Sequence, residues 1–149
     1  LCRGRAMSSL TLEQAVRIAD ATLKAGREMA LKPMSVTVLD TGGHMVAFMR
    51  EDGSGILRQE MATAKAYGCL GLGSGSRGYV DRELEFLAPM ANVSQGRFFP
   101  KLGGALVRDS GGGAILGAVG ASGDTADNDE AAIIAGIQSA GLFADVGDA

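Results

Sequence analysis

An α+β domain built on an antiparallel sheet is what this sequence predicts, and three observations carry the prediction. Strand signals come in adjacent pairs. Residues 35–40 and 44–50 flank the turn Thr41-Gly42-Gly43, and residues 103–109 and 114–120 flank Ser110-Gly111-Gly112-Gly113. Strands joined by turns this short form hairpins, and hairpins make antiparallel sheets. Helical apolar spacing occupies the segments before, between and after the pairs. The glycines, 23 of 149 residues, cluster from 68 to 78 and from 103 to 123, so they mark turns and close packing rather than a linker.

Each element has a local reason. Thr11 and Gln14 have capping-box spacing, and Leu12, Ala15, Val16, Ala19 and Leu23 then recur on one face of a helix expected over 12–31, ahead of Pro33. On the return strand 44–50, alternation places His44, Val46, Phe48 and Arg50 on one face. Ser54 is the candidate N-cap of a helix over 56–70, whose small or apolar positions are Leu57, Met61, Ala62, Ala64, Ala66 and Cys69. A short helix over 79–90 turns Val80, Leu84 and Leu87 inward, and Phe98-Phe99-Pro100 reads as a loop or short strand. The uncharged run 114–120 contains Gly117 and Gly120, which weaken a strand unless something packs closely on its backbone. Asp127 and Glu130 have capping-box form at the start of a last helix, which carries Ile133, Ile134, Ile137, Ala140 and Gly141 toward Phe143.

Composition bounds the function. One domain is expected at this length, over residues 9–149, with residues 1–8 as a flexible extension. A net charge of −3 without a basic face, no Trp and few aromatics argue against nucleic-acid binding. No apolar run approaches a membrane span, and the N-terminus lacks an apolar signal core, so a cytoplasmic protein with no membrane partner is expected. Cys2 and Cys69 do not make a disulfide framework, and Cys69 reads as a small buried residue.

The motifs that resemble nucleotide sites fail on context. Gly73, Gly75 and Gly78 form a G-x-G-x-x-G that follows a helix instead of a strand. Gly117, Gly120 and Gly123 lead into an acidic first turn that repels phosphate. One histidine and two distant cysteines match no zinc spacing. Any Ser-His-Asp or Cys-His relay must run through His44, and Ser122 lacks a nucleophile elbow. Arg50, Asp52, Lys65 and Asp40 are candidates for a charged pocket holding a small carboxylate, with a structural ion-pair network as the competing reading. Asp127, Asp129 and Glu130 crowd one turn, either for acid–base work or as helix caps. The methionines, among them Met45, Met49 and Met61, either line an adaptable apolar cavity or fill the core.

Several segments together carry a resemblance: 38–50 with Asp52, Ala62-Thr63-Ala64-Lys65-Ala66, Gly103-Gly104, 117–123, and Asp129-Glu130 through Gly136. In this order the chain resembles the GlcG/HbpS-like family, which includes the C-terminal domain of PduO-type proteins. The resemblance implies a profilin-like, three-layer α/β/α fold with a five-stranded antiparallel sheet, and assembly into homo-oligomers. It implies a small-molecule ligand, with heme or another tetrapyrrole as candidate and His44 as candidate axial ligand. No other cofactor is implied. The candidate ligand-binding set is Arg50, Lys65, Gly103, Gly104 and Ser122, and the candidate catalytic set is Lys65, Asp129 and His44. Two other readings stay open: a small cofactor-independent enzyme acting by hydrolysis or proton transfer on an anionic catabolic intermediate, and a non-catalytic assembly partner.

Overall fold

The computed structural model describes residues 9–148. The expected extension over 1–8 lies outside the described residues, as does Cys2. The elements run α1 (Leu12–Glu28), β1 (Ser35–Leu39), β2 (Met45–Arg50), α2 (Arg58–Leu72), α3 (Leu84–Val93), β3 (Gly104–Arg108), β4 (Ile115–Ser122), α4 (Ala126–Ser139) and β5 (Phe143–Asp145). The five strands form one antiparallel sheet in the order β2-β1-β4-β3-β5. The α+β class and the five-stranded sheet therefore stand as read from the sequence and its resemblance.

Two cores fill the layers. On one face α1 and α4 bury Ile18, Leu23, Ile133 and Ile137 against Val36, Val38, Val107 and Val119. On the other face α2 buries Ala66 and Cys69 against Leu39, Leu106 and Ala118, and Tyr79, Leu87 and Phe98 close that core. Strand alternation sorts the side chains: Ser35, Thr37 and Leu39 face α2, while Val36 and Val38 face α1.

The α2 face is cut unusually close. Thr37, Gly120 and Gly104 lie in one cross-strand row over β1, β4 and β3. A Cβ on Gly120 would run into the Ala62 carbonyl, and one on Gly104 would meet the Lys65 carbonyl and Cys69 Sγ. The glycines therefore let the helix backbone rest on the strands, as Gly120 in an uncharged run foretold. At the same row Thr37 Oγ1 and Thr63 Oγ1 lie 2.9 Å apart in a hydrogen bond.

Several local expectations are corrected. Helix α1 keeps its Thr11–Gln14 capping box but stops at Glu28, because Ala30 turns left-handed (φ 56°) and Leu31 N–H returns to the Gly26 carbonyl (2.9 Å). Ser54 caps nothing. Its hydroxyl is buried against Ser35 Oγ at 2.9 Å, and α2 starts without a side-chain cap. The 79–90 helix is a 3-10 turn at Ser76–Gly78 followed by α3, whose Leu84 is exposed and whose Leu87 alone is buried. A bulge opposite Val38/Leu39 breaks the alternation expected on β2, so Val46 and Ala47 both pack toward α1. The N-cap of α4 is Thr125, whose hydroxyl takes the Asn128 N–H, and Asp127 and Glu130 instead bind Arg77. That helix ends at Ser139, and Gly141 (φ 72°) turns the chain into β5, which supplies the fifth strand.

Asp124 joins two loops at the α1 side. Its carboxylate accepts the Lys32 N–H (2.9 Å), the Thr125 N–H (2.8 Å) and the Asn128 side-chain amide (2.8 Å). These bonds, the Lys32 N–H foremost, hold the carboxyl at about 2 against an ordinary 3.8. A depressed carboxyl stabilises the fold above its unfolded value and loses that contribution as it protonates. The urea midpoints of wild type and Asp124→Asn should therefore differ at neutral pH and converge as pH falls from 3.8 toward about 2. Parallel midpoint curves through that window would show that Asp124 is not the group titrating.

Candidate functional site

The most constrained polar cluster sits where β4 ends. Lys65, carried down by the close seat of α2, donates to the Ala121 carbonyl (2.9 Å) and to Asp129 Oδ2 (3.2 Å). The other carboxylate oxygen, Asp129 Oδ1, accepts the Asp124 N–H at 2.9 Å. Both side chains are almost fully buried, at 3% and 1% exposure. Gly103 (φ 105°) makes the contact feasible, since a Cβ there would stand 3.0 Å from Lys65 Nζ and 3.1 Å from Asp129 Cβ. Burial pulls the Lys65 ammonium below its ordinary range, Asp129 opposes that, and the charges of Arg58 and Lys101 add to the lowering. Lys65, Gly103, Asp129 and Ser122 are thus brought together, with Gly104 next to them.

Ser122 is fully buried, and its hydroxyl accepts from Arg58 Nη1 at 3.1 Å and lies 3.9 Å from Met61 Sδ. Among the described residues no histidine or carboxylate hydrogen-bonds to it, so none is placed to activate it as a base.

His44 stands elsewhere, at the start of β2. Its side chain is 81% exposed, and Nδ1 lies 3.2 and 3.3 Å from the two oxygens of Asp40. Desolvation alone would raise the Asp40 pKa. The His44 and Gly42 N–H groups, each at 2.9 Å, and the imidazole outweigh that and hold the carboxyl below its ordinary value. With Nδ1 engaged, Nε2 is the nitrogen left to bind.

Beside this hairpin runs an open apolar groove over the outer face of α2. One part, about 290 Å³, is lined by Met45, Gln59, Glu60, Thr63, Ala64, Gln95, Gly96 and Arg97. The next part, about 300 Å³, is lined by Leu57, Glu60, Met61, Ala64, Gly96, Phe98 and Phe99. Glu60, Ala64 and Gly96 are common to both, so the two parts are continuous. Tyr67 packs under the hairpin turn at Gly43, and the Arg97 guanidinium lies 4.8 Å over its ring. Met45 and Met61 therefore line a cavity wall, whereas Met49 packs toward α1.

The expected charged pocket does not assemble as one site. Arg50 and Asp52 line a separate hollow of about 560 Å³ with Asp20, Arg27 and Glu51, where Arg27 is already bound to Glu51 at 3.1 Å. Asp40 is taken by His44 and Lys65 by Asp129. Among the described residues, no three His, Cys, Asp or Glu side chains gather to hold a metal ion, and no helix is long and apolar enough to cross a membrane. Sequence reasoning missed Arg58, Arg97 and Lys101. Arg58 is visible only as the residue before an apolar helix stripe, which reads as surface.

The sequence profile described as "Haem degrading protein HbpS-like" matches residues 10–138. The chain belongs to the HbpS-like family. Solved structures agree. A double mutant of HbpS from Streptomyces reticuli matches this HbpS-like chain at 27% identity with a TM-score of 0.75, over 93% of each chain. The PduOC:heme complex matches at 17% identity and a TM-score of 0.75, over 94% of this chain and 99% of that one. The protein ORFY of Klebsiella pneumoniae matches at 21% identity and 0.76, over 95% and 97%. At these identities the last two speak for the fold alone. No curated protein matches by sequence.

Within this HbpS-like fold the Lys65–Asp129 pair is a brace between layers. Asp129→Asn leaves a buried ammonium without its counter-charge, which costs about 3–5 kcal/mol. Urea denaturation should show a loss of that order, with part of it recovered when Lys65→Met is added. A loss below about 1 kcal/mol, the range of exposed pairs, would mean the pair does not brace the layers.

Proposed function

We propose that the protein binds heme or a related tetrapyrrole along the outer face of α2, with His44 as the axial ligand. The observation that carries this reading is the pinned His44. Its Nδ1 is tied to Asp40, its Nε2 is left to bind, and it directly precedes Met45, where the apolar groove begins. A carboxylate behind the imidazole fixes the tautomer and raises the basicity of the free nitrogen. The donor chemistry fits a heme iron, and the groove wall of Met45, Ala64, Met61 and Phe99 suits an apolar ring. Membership of the HbpS-like family and the fold shared with a PduOC:heme complex support the same ligand class. Heme, when bound, would bring redox and oxygen chemistry, while this chain supplies the axial nitrogen, the apolar wall and Arg97 beside it.

The protein also assembles with copies of itself in this reading. Ile56, Leu57, Leu84 and Val93 are 86%, 64%, 74% and 82% exposed, and all lie on or beside α2 and α3. The enzymatic reading draws less from the geometry, because Lys65 and Asp129 are locked to each other and line neither part of the groove.

Hemin titration followed at the Soret band should give a saturable change at about micromolar affinity, roughly −8 kcal/mol. His44→Ala should abolish it while the far-UV circular dichroism is kept. The same Soret change in the variant would remove His44 as ligand, and a featureless titration of wild type would remove heme. Sedimentation of the same sample should show an assembly larger than the 15.2 kDa chain, and a monomer would overturn self-association.

A further inference from the structure

The groove has two chemically different ends. At the end away from His44, the wall residues Leu57 and Met61 adjoin Arg58 and Ser122, and Lys101 lies two residues beyond Phe99. Arg58 is held over the buried Ser122 hydroxyl at 3.1 Å, so its guanidinium has a fixed seat rather than a free arm. Among the described residues neither Arg58 nor Lys101 forms an ion pair with an acid, although Arg27, Arg77 and Arg108 do. Glu60, the acid on the groove wall, pairs with neither. Lys65 links the positions of Arg58 and Lys101: it bonds the Ala121 carbonyl, next to the Ser122 that holds Arg58, and it lies against Gly103, two residues after Lys101. Besides Glu60, the carboxylate near them is Asp129, which is already engaged by Lys65 and the Asp124 N–H.

We propose that Arg58 and Lys101 form an anion seat at this end of the groove, taking the carboxylate of a ligand whose flat apolar body lies against Leu57, Met61 and Phe99. The inference rests on the groove being the ligand site, and it deepens that reading by requiring an acid group on the ligand. The physical argument is complementarity. An uncompensated guanidinium and ammonium beside a desolvating apolar wall favour a carboxylate, and Arg offers it a bidentate fork. An uncharged ligand would leave both cations without a partner as it displaced their water.

The test uses metal-free protoporphyrin IX and its dimethyl ester, titrated by fluorescence, so that axial ligation plays no part. Wild type should bind the free acid more tightly than the ester by about 10- to 100-fold, the worth of one charged hydrogen bond. Arg58→Ala and Lys101→Ala should each weaken the free acid toward the ester's affinity and leave the ester unchanged. Arg58→Lys should fall between, and the distant Arg17→Ala should match wild type. Lys101 is exposed, so its variant keeps the test alive if Arg58→Ala fails to fold. Equal affinities of acid and ester for wild type, or an unchanged free-acid affinity in both alanine variants, would overturn the seat. If hemin still binds through His44 in those variants, only the seat is lost. If wild type binds none of the three compounds, the groove reading and the seat fall together.

Discussion

Everything on the groove side of this molecule depends on how near α2 lies to the sheet. Gly104 and Gly120 leave no Cβ in the row beneath the helix, so the Ala62 and Lys65 carbonyls sit where side chains would otherwise stand. That seat sends the Lys65 side chain to the sheet's end, where it meets Asp129 of α4. One ion pair thus joins the helical layers on opposite faces. Desolvation makes the pair costly to form and costlier to break. It acts as a register pin, because α2 one turn out of place would strand the ammonium in the core.

The same seat builds the groove. With its inner face on glycines, α2 presents Leu57, Met61 and Ala64 outward at shallow height, and the 95–99 loop forms the opposite wall through Gly96 and Phe99. Phe98 forms part of the groove floor and reaches into the core with Tyr79 at a ring separation of 5.7 Å, and so anchors the loop from below. The hairpin end is fixed independently. Asp40 gathers the Gly42 N–H, the His44 N–H and the imidazole, so the turn and the histidine orientation share one carboxylate. Groove and histidine are therefore positioned by local geometry on a stiff sheet, as a binding surface requires.

What was legible in the sequence follows interaction range. Thr11 and Gln14 are three residues apart, so their capping box was legible. The hairpins were legible for the same reason. The Asp40–His44 contact is as local, but Asp40 was read toward Arg50, Asp52 and Lys65 instead. Asp127, Asp129 and Glu130 looked like helix caps because their partners, Arg77 and Lys65, are 50, 64 and 53 residues away and leave no local trace. Strand β5 is three residues long and exists only through its pairing with β3, so alternation alone has too little chain to reveal it. Gly120 was readable as a place of close approach, but not what approached. Arg58 became a candidate only when pairing of Ser35 with Ser122 brought the end of β4 under the start of α2.

A net charge of −3 disfavours an acidic ligand at long range, yet it has little bearing on the groove. Many of the acids are spent internally: Asp124 on backbone and amide donors, Asp129 on Lys65, Glu130 on Arg77, and Asp145 on Arg108. A carboxylate so engaged projects little field beyond its partner, and at physiological salt exposed charges are felt over about 8 Å. The potential a ligand meets is therefore set by the charges lining its own site. At the far end of the groove Glu60 stands on the wall, and the proposed seat of Arg58 and Lys101 adjoins it, with Ser122 fixing Arg58. Pairing the acids inside the fold is thus what allows an acidic protein to present a basic end to its groove.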